Sequence, residues 1–209
     1  MSLSSRPQSD LERQTRFSTA PAQLMECCPL ALASDDYHAL RNLTLNPYTP
    51  DPALRPLLAR PEVRLHRNIA EHPNASGETL DHLALGIGVP NRAKHTVVWL
   101  QVECTLAHRP DLPQLARKHL LASTSIATRI ALAQRPDLDD ADLVQLSHDE
   151  RREVRRAVAL VLSRVPARRP ELLVALRSDP DHAVREHAYG RVFPKAPQPP
   201  VLGVSPLTR

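Results

Sequence analysis

Apolar residues along this chain recur at helical spacing in short runs, and most of those runs end at a proline. In residues 152–165, Val154, Val158, Val161, Leu162 and Val165 share one face and arginines occupy the other, the 3.6-residue period of an amphipathic helix. A proline stops such a run because its ring removes a backbone donor and crowds the preceding turn. After the proline comes a polar residue, Asp51, Ser76, Asp111 or Asp139, of the kind that caps a new helix. The second run is shorter and closes on Leu57-Leu58, Leu83-Ala84, Leu120-Leu121 or Leu172-Leu173. The pattern therefore predicts helix pairs, each too small to cover its own apolar stripe, so that neighbours must stack into a continuous core. The longest uninterrupted run, Asn91 to Arg109, follows Gly86-Ile87-Gly88-Val89-Pro90. With no strand before it, this Gly-x-Gly is a poor phosphate loop and reads as a place where the long helix sets off at a new angle.

Laying the prolines over one another exposes an internal repeat. Residues 40–54 align with 66–80 around Pro47 and Pro73, bringing Arg41 onto Arg67, Asn42 onto Asn68 and Leu54 onto Leu80. Pro110 and Pro136 stand in the same frame, followed by Pro166 and Pro194; successive spacings are 26, 37, 26, 30 and 28 residues. The fold expected is all-α, with about six stacked helix pairs in one domain over residues 21–193. Residues 1–20, rich in Ser, Gln and Arg, read as a flexible segment with a helical turn around Leu11–Arg16. Residues 194–209 read as a proline-rich tail with P-x-x-P spacings at 194/197 and 197/200.

Composition agrees with close helix packing: 5 Gly against 21 Pro, and only 3% aromatic residues, leave Leu, Ala and Val to fill the core. The formal charge is +4, but it is unevenly placed. Residues 151–177 hold eight arginines against Glu153 and Glu171, so the basic character concentrates in the final third. Cys27, Cys28 and Cys104 do not make a secreted disulfide framework, the first residues lack the apolar core of a signal peptide, and no run is long enough to span a membrane. A cytoplasmic protein without membrane association is expected.

The unit V-R-x-x-V-A-x-x-P with a leucine seven residues further on resembles the leucine-rich repeat variant family, best at residues 40–54, 65–80 and 128–143. REVRRAVALVL (152–162) and SDPDHAVREHA (178–188) are more similar to HEAT repeats. The resemblance implies a right-handed α-solenoid of stacked helix pairs and a role as a binding surface. Some members carry an N-terminal cysteine cluster holding an iron–sulfur centre. With Cys27 and Cys28 alone in that region, the four thiolates of such a cluster are missing.

Arg41, Arg67, Arg129, Arg155 and Arg185 recur at the "VR" position. They are expected to form a structural ladder with acids about a turn earlier, Asp36, Glu62, Glu150 and Asp181, although a phosphate-gripping row is the alternative. Arginines outside that register, Arg151, Arg152, Arg156, Arg164, Arg168 and Arg169, are the candidate binding residues, weighed against a plain solvated face. Arg152 and Arg156, four apart, share a helix face. Cys104 and His108 have the i, i+4 spacing of two metal ligands, but nothing in the sequence completes a site. Asp137, Asp139, Asp140 and Asp142 lack the glycine and closing glutamate of a Ca²⁺ loop and suit a helix start. No nucleophile sits in a triad context, and no catalytic residue, cofactor, metal or small-molecule substrate is inferred.

Two functions remain. The first is a non-enzymatic module or scaffold that binds a protein partner. The second is nucleic-acid binding through 151–169, as in the alkylpurine DNA glycosylases built from HEAT-like repeats. Those enzymes hold their lesion with aromatic residues, and the scattered Phe17, Tyr37, Tyr48, Trp99, Tyr189 and Phe193 make a poor lesion pocket.

Overall fold

The computed structural model describes residues 9–90 and 96–190. Among them the chain forms thirteen α-helices and no strand. In order they are α1 (Asp10–Phe17), α2 (Pro21–Ala33), α3 (Tyr37–Leu45), α4 (Asp51–Leu54, continued by a 3₁₀ turn Arg55–Ala59), α5 (Val63–Glu71), α6 (Gly77–Leu85), α7 (Thr96–Ala107), α8 (Gln114–Leu121), α9 (Ile126–Ala133), α10 (Asp140–Ser147), α11 (Arg152–Arg164), α12 (Pro170–Leu176) and α13 (His182–Ala188). Part of the expected flexible segment, residues 10–17, is therefore a helix: Ser9 caps it and Thr15 is buried in its packing. The proline-rich tail and residues 91–95 of the expected long helix lie outside the described residues.

The odd-numbered helices pack one on the next from α1 to α13, and within the even-numbered set α2 meets α4, and α6, α8, α10 and α12 follow in series. Leucine and alanine fill the space between these two files. Leu43, Ile69, Leu106, Leu132 and Val158 recur as fully buried residues in the odd file, each stabilising by about 1.5–3 kcal/mol. The paired leucines at the ends of the short helices are buried as well. Small residues set how closely the units approach: Ala70, Ala107, Ala133 and Ala159 occupy one repeating, fully buried position.

Pro47, Pro73, Pro110, Pro136 and Pro166 each follow a helix end as the pattern predicts, and the residue before the first four does more. Asn46 and His72 are held extended, at φ −79°, ψ 113° and φ −70°, ψ 129°, because a following proline disfavours the helical region. From there their side chains reach back one unit. Asn46 Nδ2 donates to the carbonyls of Thr15 and Ser18, each at 2.9 Å, and His72 Nε2 donates to Asn46 at 2.8 Å. Arg109 Nη1 donates to Ala70 and His72, both at 2.9 Å, and Arg135 Nη1 to Ala107 at 3.1 Å and to Arg109. All four donors are buried. Each satisfies carbonyls at a helix end that would otherwise cost about 1–3 kcal/mol apiece to leave unpaired.

A second set of bonds corrects the expected arginine ladder. Arg129 pairs through Nε and Nη2 with Asp149 (2.7 and 3.1 Å), and Arg155 pairs in the same way with Asp179 (2.7 and 3.1 Å). The acid comes from the turn before the next odd helix, not from a turn earlier. Asp149 and Asp179 each also accept the backbone N–H two residues on, at 2.8 Å. Arg185 occupies the same register and donates Nη1 to the carbonyls of Asp179 and Pro180. Arg41 and Arg67 are not in it. They stand five residues before their pre-proline residue, whereas Arg129 stands six, a rotation of one helical position that turns both outward. Among the described residues Arg67 pairs with Glu71, at 3.2 Å on the surface. Of the acids expected as partners, Asp36 and Asp181 cap their own helices and Glu62 binds Arg60.

The caps show the same mixture. Ser76 and Asp139 cap α6 and α10 as expected, while Asp51 instead accepts the Ser76 N–H across units at 2.7 Å and Asp111 binds Arg109. Gly86, at φ 71°, closes α6 in the left-handed conformation that favours glycine; the expected start of the long helix after it lies outside the described residues.

Asp179→Ala would leave Arg155, with a side chain 15% exposed, without its carboxylate and should lower stability by about 3 kcal/mol in denaturant titrations. Glu71→Ala, breaking a pair whose members are both more than half exposed, should cost no more than about 0.5 kcal/mol. Acid should loosen the stack through its buried histidines. Burial pulls His66 below its usual 6.5; burial, reinforced by Arg109, does the same to His72. A histidine depressed in the fold contributes stability that is complete above its unfolded value and lost as pH falls through the folded one. The melting temperature is therefore expected to hold above about pH 6.5 and fall below it, less steeply in His72→Gln.

Candidate binding surface

The six candidate binding arginines differ in their surroundings. Arg151 is exposed, 3.9 Å from Glu150. Arg152 lies 3.3 Å from both Glu153 and Asp181. Arg168 donates to the carbonyls of Leu138 and Pro136, and Arg169 meets Asp140 at 3.0 Å and also Glu171. Arg156 and Arg164 remain, both exposed on α11. Arg152 and Arg156 do share a small cleft, but Glu153 and Asp181 line it too, so an incoming phosphate would compete with two carboxylates already in place. Acids from flanking turns, counted outside the basic segment by sequence, are what neutralise it.

The acidic run is likewise consumed. Arg117, itself nearly buried, lies 3.8 Å from Asp137, 3.6 Å from Asp139 and 3.2 Å from Asp142, and Asp140 takes Arg169. Cys104 Sγ and His108 Nδ1 are 3.9 Å apart, but that nitrogen is 2.7 Å from the Cys104 carbonyl. Among the described residues no cluster of three metal-ligating side chains occurs. Cys28 is buried, with its thiol donating to the Ala53 carbonyl at 3.2 Å. Burial, with the neighbouring Cys27, pushes that thiol up to about 11, which keeps it protonated and unreactive.

What the structure brings together instead is a pair of grooves along the pre-proline edge. The first, about 720 Å³, is lined by Ala70, Glu71, Pro73, Thr105, His108, Arg109, Pro110 and Asp111. The second, about 410 Å³, lies one unit on. Position for position it repeats the first. Ala107, His108 and Pro110 replace Ala70, Glu71 and Pro73 on one wall, and Ala131, Gln134, Arg135, Pro136 and Asp137 replace Thr105, His108, Arg109, Pro110 and Asp111 on the other. His108, Arg109 and Pro110 belong to both. Pro73, Pro110 and Pro136 are exposed along the grooves while Ala70, Ala107 and Ala131 lie buried beneath them, and Glu71, Asp111 and Asp137 are each about half exposed. Hydrogen bonds from Arg109 and Arg135 hold Asp111 and Asp137 below the usual carboxylate range, so both are ionised at neutral pH and each is balanced by its arginine.

Reading the prolines as punctuation hid these grooves. The signal was present in the residues flanking them, His72-Pro73-Asn74, Arg109-Pro110-Asp111 and Arg135-Pro136-Asp137, a donor before and an acceptor after. The thiols give a direct check: Cys104, partly exposed, should react with an aromatic disulfide reagent in the native protein at pH 8, whereas Cys28 should react only as fast as the protein unfolds.

Among the described residues no helix is long and apolar enough to cross a membrane. Comparison with known protein families, with curated proteins and with solved structures returned no match.

Proposed function

We propose that this chain is a non-enzymatic binding module, an α-solenoid of leucine-rich-repeat-variant and HEAT-like helix pairs that holds a protein partner on its surface. The observation that carries the reading is the recurrence of one apolar, acid-rimmed groove in two consecutive units. The two files of helices support a solenoid, since each unit touches chiefly the one before and the one after. The charged groups lining the grooves are committed to internal pairs, Arg109 with Asp111 and Arg135 with Asp137, and none is paired with a nucleophile. Shape and rim charge, rather than a reactive group, are what such a surface offers. Three free cysteines suit a reducing, cytoplasmic setting.

A photoreactive residue placed in turn at Gln101, Gln134 and Gln145, all exposed, should give a discrete protein adduct in cells from at least one position. No adduct from any of the three sinks the reading. Nucleic-acid binding, the alternative, rests on Arg156 and Arg164, the two candidate arginines with neither an acidic nor a carbonyl partner among the described residues. The proposal expects no retention of duplex DNA at physiological salt. Salt-dependent retention abolished by Arg156→Glu with Arg164→Glu would replace it with the nucleic-acid reading.

A further inference from the structure

We infer that residues 193–204 dock on the open face of α12 and complete the sixth unit of the stack, covering Val165 and Val174. Each of Pro47, Pro73, Pro110, Pro136 and Pro166 is followed by a helix of the even-numbered file, α4, α6, α8, α10 and α12. Pro194 stands in the same frame, 28 residues after Pro166, and α13 before it has no even-file companion among the described residues. The residues beyond Pro194 carry the pattern of such a companion. Residues 194–204 match residues 47–57: Pro194 falls on Pro47, Pro197 on Pro50, Pro199 on Pro52, Val201 on Leu54 and Val204 on Leu57. In the earlier copy Pro50 and Pro52 stand at the start of α4, and Leu54 and Leu57 are fully buried. Leucines seven and ten after the proline recur as Leu80 and Leu83, Leu143 and Leu146, and Leu173 and Leu176, all of them buried. The P-x-x-P spacing beyond residue 193 is thus the spacing of the repeat, which Pro47 and Pro50 also show within the first unit.

The described end of the stack leaves open the positions that this segment reaches. Val144 and Val174 are equivalent, each eight after its proline. Val144 packs against the core, with α12 following it, whereas Val174 is 59% exposed. Elsewhere this position meets residues five or six after the next unit's proline: Arg55 bonds Glu78, and Asp81 accepts the Ala116 N–H. The same register sets Pro199 and Pro200 against Val174. The pre-proline position gives a second, independent match. His72, Arg109 and Arg135 each bond the carbonyl of the pre-proline residue one unit back, and all three are buried, as is Asn46. Val165 is the pre-proline residue of the fifth unit and is 54% exposed. Its counterpart one unit on is Phe193, apolar where the earlier ones are polar, as suits a valine beneath it. Each unit of such a stack hides its outer face under the next, and removing these side chains from water supplies the driving force.

The test uses the full chain with Val174→Cys, labelled by a maleimide and read by peptide mass spectrometry so that Cys104 is scored separately. Residue 174 should react at least tenfold more slowly than in the same chain carrying Val201→Asp with Val204→Asp. Leu202→Asp, at the register position of Val174 itself and so turned away from α12, should leave the rate unchanged. Without the added cysteine, the paired change should lower the melting temperature by about 4 °C or more, and Leu202→Asp by less than about 1 °C. Equal labelling rates, an unchanged melting temperature, or a Leu202→Asp effect as large as the paired one overturns the proposal. Protection that vanishes on dilution and ignores the paired change would give this face to a second copy of the chain, and would overturn it as well.

Discussion

A helix of seven to thirteen residues stopped by a proline leaves carbonyls at its end with no donor to follow, and the way those carbonyls are satisfied governs this molecule. The proline that removes the continuing N–H also forces the residue before it into an extended conformation, aiming that side chain back across the interface. Asn46, His72, Arg109 and Arg135 use this position to bond the previous unit's helix end. The group that breaks each helix thus also joins it to its neighbour. Without these donors the buried alanines Ala70 and Ala107 would carry unpaired carbonyls as the units closed on each other.

The grooves follow from the same joints. Because Arg109 and Arg135 are drawn inward to reach carbonyls, the turn behind each is left concave, with proline on its wall and the paired aspartate at its lip. Evenly repeated joints give evenly repeated hollows. The same packing supplies partners from neighbouring units to Arg152, Arg155, Arg168 and Arg169.

Much of the fold was legible because helix formation and helix termination are local. The 3.6-residue period of α11, the Ser76 and Asp139 caps and the leucine pairs of the short helices could all be read within a few residues. The polar joints were hidden for two reasons. Asn, His and Arg do one job at successive pre-proline positions, so the repeat does not show as a repeated letter. Conversely, Arg41, Arg67 and Arg129 share a letter and a local motif but differ by one position relative to the proline, and one residue on a helix rotates a side chain by about 100°. Charge summed along the chain omits the acids that packing brings to the basic segment, such as Asp140, Asp179 and Asp181.

The two sets of joints run in opposite directions along the chain, and this gives the molecule a sense of time during synthesis. Pre-proline donors reach backward, to carbonyls that have already emerged and can wait, hydrated, at no cost. The Arg129 and Arg155 guanidiniums reach forward, to Asp149 and Asp179, which lie 20 and 24 residues further on. At about 5–20 residues per second, each of these arginines waits roughly one to five seconds before its counter-ion leaves the ribosome. Each unit can settle on the one before it at once, but its own arginine is sealed away only when the next unit arrives. A nascent chain halted after α11 would end on a guanidinium still open to water, so the growing edge of the stack stays polar until it is covered.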